Sequence, residues 1–323
     1  MLPLLKFEPL LKRIRWGGRR LGTVLNKKIG PGSDYAESWE VADLADGQSI
    51  VSGGPFHGRT LSSMIDEHGD EIFGETHGPR QFPVLVKFLD ANDWLSLQVH
   101  PDNQRAKSWS PSDNGKTEAW VIVDALPGSR ICAGLKQGVT EADIRDRLKA
   151  GQIEDLLHII PVAAGDCFFI PAGTVHAIGP GILLAEVQQQ SNLTFRLHDW
   201  GRVDAAGNSR PVHLEESLAC IDFETGPVSA AEPRVIRNGV HAWEELIRCD
   251  YFVVCRHQSE RPFSVSTQGH FRILMTLEGS GEVLAETGRC AVSRGQTILL
   301  PASLQDVQII PETPMTLLEI SCP

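Results

Sequence analysis

The chain has 323 residues, long enough to bury a large core and to hold two domains. Its formal net charge of −11 argues against a nucleic-acid-binding surface and requires that any anionic ligand be met by local positive charge. Seven scattered cysteines without a C-x-x-C spacing read as free thiols of a reducing compartment, and no apolar run approaches the ~18 residues of a membrane helix, so a cytoplasmic protein without a membrane partner is expected.

Residues 1–55 read as edge strands and turns, with a tight turn at Trp16-Gly17-Gly18 and a strand over Tyr35–Ala42. Thr60 is placed to cap a short helix whose apolar residues Leu61, Met64, Ile65 and Ile72 recur at roughly helical spacing. Phe82–Asp90 is a strongly apolar strand interrupted by Lys87, and burying a lysine without an anion is expensive. Trp94–His100 alternates, with Ser96, Gln98 and His100 on one face and Leu95, Leu97 and Val99 on the other. A polar loop over Pro101–Gly115 is long enough to form a rim. The strand after it, Lys116–Val123, carries Lys116, Glu118 and Trp120 in phase. Thr140 and Asp143 resemble a capping box, opening a helical insertion near 140–160 that runs to about His158 and is split at Gly151.

Residues 165–176 form the motif that organises the rest: Gly-Asp-Cys-Phe-Phe-Ile-Pro-Ala-Gly-Thr-Val-His. A short apolar strand leads to a turn punctuated by Pro171 and Gly173, and His176 lies on the strand that leaves it; glycine admits backbone angles that other residues resist, and proline rigidifies the approach. This spacing resembles the way cupins, small β-barrels, deliver an imidazole into the barrel mouth. Further on, Arg196 lies between Phe195 and Leu197, His213–Ile221 reads as a short helix, and 224–237 reads as a linker. Residues 238–323 again read as short strands. Within them, Gly295 to Gln305 repeats the spacing, Gly295 matching Gly165 and Pro301 matching Pro171, while Ser303 replaces Gly173 and no histidine follows. The expectation is an internal duplication whose second copy kept the turn and lost the ligand.

The predicted fold is therefore mainly β, with two cupin (jelly-roll β-barrel) domains and a few short helices inserted in the first. Residues 1–230 are expected to form a metal-binding catalytic domain, and 231–323 a degenerate one without metal ligands. Gln98, His100, Glu118 and His176 supply two imidazoles, a carboxylate and an amide oxygen, a set that suits a borderline divalent ion. No other histidine is expected to carry chemistry: His158 sits late in a predicted helix, His198 and His213 on predicted loops, and His57, His68, His77, His241, His257 and His270 have no companion at ligand spacing. Two imidazoles and a carboxylate also describe a non-haem iron oxygenase site, which stays open as a further reading.

Several segments together resemble the type I mannose-6-phosphate isomerases in their short bacterial form: Arg15-Trp-Gly-Gly18, Glu37-Ser-Trp-Glu40, Leu85–Asp90, Leu95-Ser-Leu-Gln-Val-His-Pro-Asp102, Gly115-Lys-Thr-Glu118, the Gly165–His176 motif, and Glu186 through Arg196. The resemblance implies that Gln98, His100, Glu118 and His176 hold one Zn2+ per chain, other divalent ions being possible. It places Arg196 on an active-site arginine, Glu186 on a carboxylate implicated in catalysis, and Lys87, Ser96 and Lys116 at positions linked to substrate or phosphate. It further implies interconversion of mannose 6-phosphate and fructose 6-phosphate through an enediol(ate), with a hexose 6-phosphate as the binding partner. A non-catalytic sugar-phosphate-binding protein stays open as a further reading, and a monomer or homodimer is expected.

Overall fold

A computed structural model describes residues 1–74, 81–203 and 207–323, so His77 lies outside the described residues. The chain is mainly β, and no helix among the described residues is long and apolar enough to cross a membrane. It divides into two compact units: a central one, Ile14–Gly18 with Leu89–Ala231, and a terminal one, Met1–Arg13, Arg19–Phe88 and Glu232–Pro323. This division differs from the expected domains 1–230 and 231–323, because the first residues belong with the last. Leu5–Glu8 pairs antiparallel with Thr297–Leu300, Leu5 opposite Leu299, which ties the N-terminus into the C-terminal sheet.

In the central unit, one sheet runs in the order Leu157–Pro161, Arg130–Leu135, His176–Ile178, Leu97–Val99, Phe195–His198. Strands Cys167–Ile170, Glu118–Ala125 and Ile182–Gln189 lie side by side in a second. The period-2 alternation divides the first sheet into two faces. Leu97, Val99, Val175, Ala177, Phe195 and Leu197 form its back and join one apolar cluster with Ile144, Ile153 and Leu218. The helical insertion thus covers this back face, leaving the other face for the polar residues.

The insertion is shorter in helix than its sequence suggests. Thr140 and Asp143 form a reciprocal capping box at the start of helix Glu141–Ala150, and Gly151 ends it in the left-handed conformation at φ 67°. A 3-10 turn, Ile153–Leu156, follows, and His158 then lies on strand Leu157–Pro161 instead of in a helix. There Ile159 sits opposite Cys132 on the neighbouring strand, so sheet pairing overrides the apparent helical period of this isoleucine-rich segment.

The terminal unit carries an eight-stranded sheet, in the order Arg234–Arg237, His241–Arg248, Val253–Ser259, Met315–Ser321, Arg272–Glu278, Thr297–Leu300, Leu5–Glu8, Ile50–Val51. A four-stranded sheet holds Phe263–Ser266, Asp306–Pro311, Ser280–Ala285 and Gly288–Ser293. Leu274, Ile298, Leu300 and Leu317 of the larger sheet share one core with Val265, Val283, Val307 and Ile309 of the smaller. The predicted linker therefore ends in a strand, since Arg234–Arg237 pairs with the strand that follows it. Thr60 caps helix Leu61–Phe73 as expected, its side chain accepting from the Ser63 amide.

Candidate metal centre

Strand register sets the site. Across the first central sheet His176 lies opposite Gln98 and Ala133, and Gln98 lies opposite Arg196, so His176, Gln98 and Arg196 stand in one row. Directly opposed residues share a face, and so do residues two apart along a strand, which adds Ser96 and His100 to that face. On the second sheet Glu118 lies opposite Gln188 and Ile170, and Trp120 opposite Glu186 and Phe168. Glu118 and Glu186 therefore project from the same side.

The two faces meet at His100, Glu118 and His176, whose ligand atoms all lie within 4.8 Å of one another. His100 Nε2 is 3.4 Å from Glu118 Oε1, and His176 Nε2 is 3.7 Å from Glu118 Oε2. All three side chains are about 1% exposed. The imidazoles are oriented from behind: His100 Nδ1 donates to the Leu193 carbonyl at 2.8 Å, and His176 Nδ1 to the Thr174 carbonyl at 2.9 Å. With Nδ1 protonated, each Nε2 presents its lone pair inward, the arrangement that backbone carbonyls give to metal-binding histidines.

Electrostatics agree with that geometry. Burial, with the Lys116 charge second, pushes His100 down to about 3, and burial also lowers His176, so both rings are neutral at pH 7. Burial raises the Glu118 carboxyl, but the adjacent Lys116 ammonium leads the interactions that outweigh it and hold the group well below the usual carboxylate range. Two neutral imidazoles and one carboxylate, preorganised in a buried pocket, fit a divalent ion without a prior loss of protons. The Glu118 Oε2 atom is buried and receives no hydrogen bond among the described residues, a vacancy in bonding that a cation would satisfy.

The other predicted residues surround this group. Gln98 Nε2 lies 3.2 Å from His176 Nε2, and its Oε1 accepts from Ser96 Oγ at 3.3 Å. Lys116 Nζ sits 2.7 Å from Glu118 Oε1 and 3.2 Å from His100 Nε2, so it belongs to the centre itself. Glu186 is buried on the wall that carries Glu118 and lies outside the three-residue ligand group. Arg196 is partly buried, and its Nη1 donates to the Pro211 carbonyl at 2.7 Å. Burial and the nearby Arg210 lower its pKa, while Asp199 is held by Arg202 and Arg210. Lys87 belongs to the terminal unit, where its Nζ lies 3.8 Å from Glu37 Oε2.

Sequence reasoning missed the parts that hold the ligands. The Thr117 amide donates to Gln189 Oε1 at 3.0 Å, and Gln189 Nε2 donates to Asn103 Oδ1 at 3.0 Å, fixing the entry to the strand that carries Glu118. Trp120 packs edge-on to His176, ring centroids 5.4 Å apart. Only the in-phase spacing of Trp120 and Glu118 signalled any of this. Backbone carbonyls at Thr174 and Leu193 leave no mark in the sequence.

Comparison with known proteins joins these observations. The model of the type I phosphomannose isomerase catalytic domain matches residues 4–144, and that of the mannose-6-phosphate isomerase cupin domain matches residues 243–315. Mannose-6-phosphate isomerase ManA of Bacillus subtilis is 34% identical over 94% of this chain and 94% of its own length. The mannose-6-phosphate isomerase of Streptococcus mutans is 33% identical over 95% of this chain and 94% of its own. A crystal structure of the mannose 6-phosphate isomerase from Bacillus subtilis superposes with a TM-score of 0.91 at 28% identity, covering 99% of each chain. On this ground, and with the cupin-type site in place, the chain belongs to the type I mannose-6-phosphate isomerase family.

Proposed function

We propose that the protein is a Zn2+-dependent mannose-6-phosphate isomerase, with one ion per chain. The observation that carries this reading is the buried His100–Glu118–His176 group with both Nε2 lone pairs turned inward, in a chain whose relatives are named for that activity. His100, Glu118 and His176 would hold the ion, and a half-turn of the Gln98 amide would offer its oxygen as a fourth donor. When bound, the ion supplies Lewis-acid polarisation of the sugar oxygens.

The remaining chemistry falls to the chain's own side chains. Aldose–ketose isomerisation moves the C2 proton to C1 and the hydroxyl proton from O2 to O1, through the substrate's enediol(ate). Glu186, on the wall beside Glu118, is assigned the base that takes the proton from C2 and returns it to C1. Arg196, in the same row as Gln98 and His176, faces the negative charge that develops on the sugar oxygens, and Lys116 adds a second cation there. Ser96 is assigned to hydrogen-bonding the sugar beside Gln98. The assignment of Lys87 to the substrate rests on the family resemblance alone.

Metal analysis of the purified protein, followed by a coupled assay on mannose 6-phosphate, tests the proposal. The expected result is close to one Zn2+ per chain and turnover that a chelator abolishes and Zn2+ restores. Full turnover in metal-free protein would sink the metal-dependent reading. Tight binding of mannose 6-phosphate with no deuterium exchange at C2 by NMR would instead make the protein a sugar-phosphate-binding one.

A further inference from the structure

The second copy of the Gly-x5-Pro turn has no ligand to deliver, yet it lines a cleft of 520 Å³ in the terminal unit, a size typical of small-molecule sites. Ser293, Arg294, Gly295, Gln296 and Thr297 form one wall. The segment Leu25–Lys28 forms another, and Lys6 to Pro9 a third. Gly295 makes the first two meet. Its φ is +83°, and a Cβ there would fall 2.3 Å from the Leu25 carbonyl oxygen, so only glycine lets the turn press against that segment.

The charges gathered there run against the chain's overall sign. Lys6, Lys27, Lys28 and Arg294 line the cleft, with Glu8 and Glu40 as the only carboxylates among its lining residues. Glu40 is consumed by Lys27, whose buried ammonium lies 2.5 Å from Glu40 Oε1. Lys6 Nζ donates to the Ala291 carbonyl and to Gln296 Oε1, both neutral, at 3.1 Å. Arg294 Nε and Thr297 Oγ1 are buried and have no hydrogen-bond partner among the described residues. Leaving a buried donor unmade is costly, and two such groups on one wall, beside Lys6 and Lys28 that have no carboxylate partner among the described residues, mark a place for an acceptor-rich anion.

We infer that this cleft is a second ligand site, built on the ligandless turn, which binds a phosphate group. The guanidinium of Arg294 and the Thr297 hydroxyl supply hydrogen bonds, and Lys6 and Lys28 supply charge. Phe7, Leu11 and Leu25 give an apolar wall for whatever carries the phosphate. In the first copy of the turn the residues matching Arg294, Gln296 and Thr297 are Ala164, Asp166 and Cys167, so the cationic and hydroxyl groups are peculiar to the second.

Equilibrium dialysis of the metal-loaded enzyme against labelled inorganic phosphate tests this, alongside Arg294→Gln and an Arg294→Gln/Lys28→Gln pair. The expected result is a saturable site weakened at least tenfold by Arg294→Gln and further by the double change, with kcat and KM for mannose 6-phosphate unchanged and the unfolding temperature near that of the parent. A parallel series with adenosine monophosphate separates the sources of the phosphate. Binding tighter than that of inorganic phosphate assigns the apolar wall to a carried group, and equal binding assigns the site to phosphate itself. Phosphate binding that is absent, or that is the same in the parent and in a folded double variant, overturns the inference.

Discussion

Each unit buries a histidine among strands, and their nitrogens are used differently. In the central unit His100 and His176 each spend Nδ1 on a backbone carbonyl and turn Nε2 toward Glu118. In the terminal unit His257, 2% exposed, has both nitrogens engaged: Nδ1 lies 2.9 Å from His241 Nε2, and Nε2 lies 2.7 Å from Glu319 Oε2. Arg272 holds the far side of Glu319 at 3.0 Å. A ring with both nitrogens satisfied has no lone pair for a metal, so it braces the sheet. Burial alone does not separate ligand from scaffold; the partner of the second nitrogen does.

Removing a ligand from the first unit should have the largest effect. His176→Ala leaves Glu118 and His100 without their third partner, and a loss of metal affinity beyond the ~100-fold expected for losing an outer-shell partner should follow, with isomerisation lost in step. Metal analysis and the coupled assay on the same sample check this; full activity without metal would refute the site. Arg196→Ala should come next. It is not one of the three clustered residues, so metal content should hold while kcat falls about 10²–10³-fold, as for loss of one charge-stabilising donor. Unchanged turnover would remove Arg196 from the mechanism.

The sequence was most legible where a local rule acts. Alternation put Ser96, Gln98 and His100 on one face, the cap at Thr140 and the helix after Thr60 obey hydrogen-bonding rules within four residues, and the glycine spacing located His176. It was least legible where long-range pairing decides. The union of Leu5–Glu8 with Thr297–Leu300 spans nearly the whole chain, and nothing near either segment announces it. His241 and His257 looked solitary because they are sixteen residues apart, yet adjacent strands bring them into contact. Glu37, far from Lys87 in sequence, stands 3.8 Å from its buried ammonium, a pairing that no local spacing announces.

The two turns sharpen the contrast. In the first, Thr174 N–H donates to the Pro171 carbonyl at 3.1 Å, and Gly173 has φ +90°, the sign that a type II turn requires of its third residue. The Gly173 N–H then donates to the His100 carbonyl at 2.9 Å, so the turn that delivers His176 also fixes the other imidazole's backbone. A Cβ at Gly173 would stand 3.0 Å from the Asp222 Cβ. Gly173→Ser, which writes the second turn's residue into the first, should therefore lower metal affinity about 10–100-fold, the range for losing an outer partner of a ligand. A metal titration reads it, and an unchanged affinity would show that the turn merely connects strands. His257→Ala in the other unit should destabilise by about 1–3 kcal/mol, leaving metal content and turnover alone. Denaturant unfolding together with metal analysis checks that pair of outcomes, and loss of metal would mean the second histidine is not scaffold.

The smallest expected effect is at Ser303. There the turn keeps its closing bond, Leu304 N–H to the Pro301 carbonyl at 3.0 Å, but the third residue does not take a positive φ. The Ser303 amide donates to the Glu71 carbonyl at 2.9 Å, and Asp306, which stands where His176 stands in the first copy, is exposed on a strand of the smaller sheet. The second turn thus shares spacing with the first without sharing its backbone, and a serine suffices. Ser303→Gly, which restores the Pro-x-Gly pattern, should add freedom to the unfolded chain and destabilise by about 0.4–1 kcal/mol, with no change in metal content. A gain in stability, read by chemical denaturation, would mean that Ser303 is strained and that the copy retains the first turn's geometry.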